Sequence, residues 1–227
     1  MPAYTLDSTD TVIAPDDTIL YRIQYTDGTR GGYLQSTANL DPTSDARVSD
    51  NARVYGNARV LGDARVSDNA RVSGNAWVYD NARVSGNAWV YGNARVYGNA
   101  RVSDNARVLG DARVYGNARV LGDAQVSGAA WVSGAAWVSG AAWVSGDARV
   151  SEPQHCLTIG PLGSRAAILT VCRDSTLGIS YAAGCFFGSR DAFLAAVEAT
   201  HGNSPFGNAY AAAVMLADHI VPPYMPE

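Results

Sequence analysis

Residues 45–62 read Asp45-Ala46-Arg47-Val48-Ser49-Asp50, Asn51-Ala52-Arg53-Val54-Tyr55-Gly56, Asn57-Ala58-Arg59-Val60-Leu61-Gly62. The same six-residue phrase runs on without insertion to Glu152, giving eighteen hexads. Every hexad has Ala at its second position and Val at its fourth. Ala–x–Val alternates with period two, so each hexad predicts a short strand with Ala and Val on one face. The Gly, Asp and Asn residues that follow tolerate the left-handed backbone of a tight corner. A helix is excluded, because Gly or Asp-Asn in every second turn would break it. Three strands and three corners close a triangular coil of three hexads, so the hexads make six coils. Stacked at the ~4.8 Å strand spacing, these form a prism about 29 Å long.

The interior is then a column of eighteen Val and eighteen Ala. Each buried Val contributes ~1.5 kcal/mol or more before entropy is charged. A prism of this kind exposes unpaired strand edges at both ends, so capping segments are expected. The chain divides accordingly into an N-terminal β cap (1–44), the solenoid (45–152) and a C-terminal α+β module (153–227). An aliphatic residue followed four positions later by a small one, as in Val48 to Ala52 and Val54 to Ala58, resembles the hexapeptide-repeat proteins. That resemblance covers every hexad and implies a mainly β fold, a left-handed parallel β-helix.

The flanks carry their own patterns. Residues 19–25 predict a strand, Asp27-Gly28 a turn, and residues 32–35 a return strand. Leu20-Tyr21-Arg22-Ile23, Gly31-Gly32-Tyr33 and Asn39-Leu40 resemble the lead-in segment of hexapeptide-repeat proteins encoded by bacteriophages and prophages. Past the repeats, residues 157–159 and 168–172 are apolar enough for strands. Ser189 can cap a helix running to Thr200, with Gly202 just beyond its end. Phe193, Val197 and Thr200 share one face of it. Pro205 precedes a second helical stretch through Ile220, with Tyr210, Val214 and Ala217 on one side. The string from Thr158 to Arg165 (TIGPLGSR), with Gly184-Cys185-Phe186 and Thr200-His201-Gly202, resembles the C-terminal module of the same phage proteins.

Composition narrows the function classes. No apolar run approaches the ~18–20 residues of a membrane span. The N-terminus lacks a basic start followed by an apolar core, so a cytoplasmic location is expected, and the phage resemblance implies an infected bacterial host. All 17 basic residues are Arg. Residues 1–44 carry 2 Arg against 6 Asp, residues 45–152 carry 12 Arg against 10 acids, and residues 153–227 carry 3 Arg against 5 acids. A mildly basic middle between acidic ends is far from the footprint of a dedicated DNA binder. Three cysteines outside the repeats, Cys156, Cys172 and Cys185, argue against a disulfide framework and read as small buried hydrophobes.

The candidates for chemistry are few. Hexapeptide acyltransferases carry a histidine base on or beside the prism, whereas residues 45–152 contain no His. No catalytic residue, cofactor or metal site is expected, since nothing has metal-ligand spacing. His155-Cys156 and Ser164-Arg165 could form nucleophile–base pairs. The loop 160–165 could also hold an anion through backbone N–H groups, Ser164 and Arg165, or be a plain turn.

The outer faces say more. Stacking every third hexad puts Arg47, Arg65, Arg83, Arg101, Arg119 and Trp137 on face one beside a Ser row. Face two carries Arg53, Arg71, Trp89, Arg107, Gln125 and Trp143. Face three carries Arg59, Trp77, Arg95, Arg113, Trp131 and Arg149, beside Leu61, Tyr79, Tyr97 and Tyr115. Five guanidinium groups at ~4.8 Å repel by roughly 0.9 kcal/mol per neighbouring pair even in water. Either corner acids such as Asp50, Asp68 and Asp104 offset this, or a bound anion does. Arg83, Arg101 and Arg119 are the expected centre of such a site. Leu61, Trp77, Tyr79, Tyr97 and Tyr115 form the most apolar strip and are the expected interface of a homotrimer. Trp131, Trp137 and Trp143 form an apolar belt that the C-terminal module or another subunit should cover. The functional expectation is a non-enzymatic, phage-encoded binding protein that takes a small nucleotide-like anion or a host protein to counter host defence. The alternative is a structural, polymer-forming or virion-associated scaffold.

Overall fold

A computed structural model describes residues 4–225. The hexads form eighteen two-residue strands, from β4 (Arg47–Val48) to β21 (Arg149–Val150). These stack as three parallel sheets in which each strand pairs with the strand three hexads on. Arg83 sits between Arg65 and Arg101, and Val84 between Val66 and Val102. The second-position Ala and fourth-position Val of every hexad are at most 4% exposed. The hexad reading therefore gives the fold: a triangular β-solenoid whose interior is the Val–Ala column.

The corners follow from backbone conformation. In every hexad but the last, the sixth position takes positive φ, near +67° at Gly86 and +57° to +61° at Asp50, Asp68, Asp80 and Asp104. Successive coils touch closely there. A Cβ on Gly86 would stand 2.8 Å from the Asp104 amide nitrogen. Next to the corners run ladders of side-chain amides. Asn51, Asn69, Asn87 and Asn105 each donate Nδ2 to the next residue up, and the ladder ends on Asp123.

The N-terminal segment extends this stack. β1 (Tyr4–Ile13) pairs antiparallel with β2 (Ile19–Tyr25), and β2 pairs with β3 (Arg30–Leu34). β3 then runs parallel to β5 (Arg53–Val54), and Leu40 bridges Val60. These contacts add a further turn to the six hexad coils, making about seven. Tyr25 Oη accepts from Val48 N at 2.8 Å and donates to Val48 O at 3.1 Å. Ile23, Leu34 and Leu40 continue the Val–Ala core. Gly32 is needed, because a Cβ would lie 2.5 Å from Ala52 O. β1 was not foreseen in the sequence.

The C-terminal module is an antiparallel sheet with two helices. Its strands are β22 (Cys156–Leu162), β23 (Ala167–Asp174), β24 (Gly178–Ala183) and β25 (Phe186–Gly188). The helices are α1 (Arg190–His201) and α2 (Pro205–Ile220), capped by Ser189 and Ser204. β23 is buried on both faces. Leu169 and Val171 pack with Phe193, Val197, Tyr210 and Val214 of the helices. Cys172 belongs to the solenoid core, Thr170 Oγ1 accepts from Trp143 N at 3.0 Å, and Asp174 bridges Ala148. Period-two alternation thus lets one strand close the last coil and seat both helices. Thr200 is exposed, so the inner face of α1 stops at Val197.

Two cysteine expectations are corrected. Cys156 and Cys172 face each other across β22 and β23 with Cα atoms 4.1 Å apart, and form a disulfide. Cys185 is not a core residue but is exposed and free. The strand register, which a cysteine count does not contain, makes that pair.

Candidate functional site

Face one presents its five Arg in register. Arg47 is neutralised: it meets Asp27 at 2.6 Å and its guanidinium lies 4.1 Å from the centre of the Tyr25 ring. Hydrogen bonds from the Thr29 hydroxyl and amide, joined by Arg47, hold the Asp27 carboxyl down at about 2. Among the described residues, no carboxylate lies within 4.0 Å of Arg65, Arg83, Arg101 or Arg119. The corner acids Asp50, Asp68 and Asp104 make no ion pair with the ladder. They accept backbone N–H groups from the coil above: Asp50 from Asp68, Asp68 from Gly86 and Asp104 from Gly122, at 2.8–3.2 Å. An Asp at a positive-φ corner therefore reaches along the solenoid axis to the next corner.

The tip of the β2–β3 hairpin overhangs this row. Between them lies a groove of about 570 Å³ whose lining is mostly Arg and Ser (Arg30, Arg47, Arg65, Arg83, Ser49, Ser67 and Ser85), with Tyr25, Thr29, Val84 and one acid, Asp68. A second hollow of about 530 Å³ wraps the adjacent corner, against Asp45, Arg47, Asp63, Arg65, Asn81 and Arg83. Of the three rungs singled out in the sequence, Arg83 lines both hollows, while Arg101 and Arg119 continue the ladder beyond them. Arg65 and the hairpin residues were missed. The hint was the Thr29-Arg30 pair at the hairpin tip, whose position over face one depends on the chain path.

Face three is aromatic. Tyr79, Tyr97 and Tyr115 stack with centroids 4.8 and 4.9 Å apart and planes within 4°. Arg59 and Arg95 lie on either side of Trp77, and Arg113 and Arg149 on either side of Trp131. Leu61 and the three Tyr are half-buried and Trp77 is 39% exposed. In the belt, Trp131 and Trp143 are half-buried, but Trp137 stays 53% exposed. The C-terminal module therefore leaves the face-one side of the belt open.

The module holds two further sites. Ser164 and Arg165 line a cavity of about 360 Å³ together with Cys185, Phe186, Phe193, Val197, Thr200, His201 and Tyr210. The three separated sequence motifs meet there. At the junction with the solenoid, His155 is buried, with Ser151 Oγ 3.1 Å from its Nδ1 and Arg173 3.1 Å from its Nε2. Burial, then the Arg173 charge, pushes the His155 pKa down. His155 and Cys156 thus belong to a packed junction in which the cysteine is oxidised. Among the described residues, no cluster of His, Cys, Asp or Glu is placed to hold a metal.

The repeat geometry agrees with comparison to known families. A family model described as YdcK beta solenoid repeat matches residues 46–62, 64–79, 78–92, 88–103, 94–110, 100–114 and 112–128. The chain is a β-solenoid repeat protein. No curated protein matches this solenoid chain.

Proposed function

We propose that this β-solenoid protein is a binding protein that captures a small, multiply charged anion of nucleotide type on face one. The observation carrying this reading is the Arg ladder: four consecutive guanidinium rungs that, among the described residues, have no carboxylate within 4.0 Å, beside a groove walled by Thr29 and Arg30 in which Asp68 is the one acid. Guanidinium forks bind phosphate oxygens in pairs, and the Ser row keeps the surface open to them. The likeness of its flanks to phage-encoded hexapeptide proteins supports an infected bacterial cytoplasm as the setting and removal of a host signalling nucleotide as the purpose. No catalytic group is assigned to the face, and the Arg ladder itself supplies charge and hydrogen-bond donors. The face-three strip of Leu61, Trp77, Tyr79, Tyr97 and Tyr115 is proposed as the contact between copies in a homotrimer. End-to-end polymerisation is less favoured, since β3 and β23 cover the two coil ends.

Calorimetric titration against mono-, di- and cyclic nucleotides at low and physiological salt tests the proposal. Arg65→Gln/Arg83→Gln should abolish binding while the protein stays folded. Arg101→Gln/Arg119→Gln should weaken it less. Loss confined to the second variant would move the site up the ladder, to the centre read from the sequence. Absence of any nucleotide binding by the wild type at low salt would leave the ladder a solvated face and the proposal wrong.

A further inference from the structure

The cavity of the C-terminal module is a built recess, independent of face one. Its floor is a chain of rings: Phe186 meets Phe193 edge-on at 5.3 Å, Phe193 meets Tyr210 at 5.7 Å, and Tyr210 stacks on His201 at 5.6 Å. Phe193, Val197 and Tyr210 are buried in the module core, so this floor is held rigidly. Its rim comes from two tight turns. In the turn between β22 and β23, Gly163 has φ +70°, and a Cβ there would stand 2.7 Å from Tyr210 Oη. Tyr210 Oη also donates to Leu162 O at 3.4 Å. The turn is thereby clamped to α2, which seats Ser164 and Arg165 at the mouth. In the other turn, Gly184 at φ +60° leads the two-residue connection of β24 to β25, as a II′ hairpin requires. Cys185 stands at its tip, exposed.

The lining has a sign. It contains Arg165, Ser164, Thr200 and His201 but no Asp or Glu. Among the described residues, Arg165 has no carboxylate within 4.0 Å. An apolar aromatic floor with a cationic donor at the mouth suits a ligand that is flat and apolar at one end and anionic at the other. The volume, about 360 Å³, falls in the range of small-molecule sites, roughly 300–1,000 Å³. We propose that this cavity binds a compact aromatic carboxylate, its ring among Phe186, Phe193 and Tyr210 and its carboxylate on Ser164 and Arg165. Cys185 at the lip reports occupancy.

The test uses the full chain, with 2-naphthoate and its neutral carboxamide as probes and iodoacetamide as a small uncharged thiol reagent. Mass spectrometry follows alkylation at Cys185. Saturating 2-naphthoate should slow that alkylation several-fold, and the carboxamide should need a roughly tenfold higher concentration for the same protection. Arg165→Gln, a change at an exposed position, should weaken 2-naphthoate by roughly tenfold and leave the carboxamide unaffected. Ala196→Trp, which fills the cavity, should abolish protection by both. The face-one variant Arg65→Gln/Arg83→Gln should bind 2-naphthoate as the wild type does, which separates this site from the nucleotide proposal. Protection by neither probe, equal protection by acid and amide, or an unchanged affinity in Arg165→Gln would each overturn the inference.

Discussion

At the scale of single residues, the solenoid solves one problem repeatedly: what to do with polar groups at corners that recur in every coil. The Asn rows solve it by polarity. An amide both donates and accepts, so Asn57, Asn75 and Asn93 pass a hydrogen bond upward, and Asp111, which only accepts, ends the row. The coil above that Asp begins with Ala129, which asks for nothing. Asn87→Ala cuts such a ladder in mid-run and removes two bonds, so it should cost about 1 kcal/mol in urea unfolding. Gly86→Ala should cost about 1–2 kcal/mol, from the left-handed backbone and the close Asp104 backbone. Gly86→Asn should cost less, because a short polar side chain can bond locally at positive φ. Equal losses for Ala and Asn would mean that the close approach between coils, not φ, sets the penalty. The alternation of Gly and Asp at corners was readable in the sequence as turn chemistry. The service of Asp68 to the Gly86 amide was not, because that partner comes from the neighbouring coil and the same letters also suit an ion pair with Arg.

At the scale of elements, what could be read depended on whether a strand kept its period. The hexads keep it without exception. β1 does not: its pairing with β2 shifts register between Asp7 and Thr11, so the alternation in residues 4–13 is broken where a pattern search needs it. β23 was legible as a strand, but its two-sided role needed both the last coil and the helices in place. The three C-terminal motifs were visible as strings, and their meeting in one cavity was not, since residues 165 and 201 converge only through the turn and α1. The 3-10 turn Pro153–His155, where the chain leaves the solenoid, yields a pH prediction. His155 has its pKa lowered by burial and by Arg173, with Glu152 opposing. The folded state therefore binds this proton less readily than the unfolded one. Its contribution to stability is complete above the unfolded value of ~6.5 and is lost as pH falls through the lower, folded one. The melting midpoint of the C-terminal module should drop between about pH 7 and pH 5. His155→Gln should flatten that slope. A wild-type midpoint that does not move across this range, or a slope that survives in the variant, would place the proton elsewhere.

At the scale of the whole molecule, the faces differ in what they leave unfinished. Face two carries the N-terminal sheet, which extends from β5 through β3 to β1. Deleting residues 1–44 would uncover the edge of the first coil, including the backbone of Val48 that Tyr25 satisfies, and should give aggregates in size-exclusion chromatography. Face one is open and cationic, which disfavours contact with another copy of itself. Face three has the composition of an interface core: stacked Tyr, half-buried Leu61, and Trp held between Arg. Its flatness matters as much as its composition. Three Tyr rings with planes within 4° lie along the prism as a rigid strip, so little side-chain entropy is lost on docking. A strip parallel to the long axis is best satisfied by copies arranged side by side, which leaves face one outward and accessible. Closed symmetry is the usual result of such contacts. Sedimentation at ~10 µM should therefore give about three times the chain mass of 23.9 kDa. Tyr97→Asp, which puts a charge in the middle of the strip, should yield a folded monomer with an unchanged far-ultraviolet spectrum. A wild-type monomer would remove the interface assignment from face three. A trimer that survives Tyr97→Asp would move it to another surface, with the exposed Trp137 next to be tested.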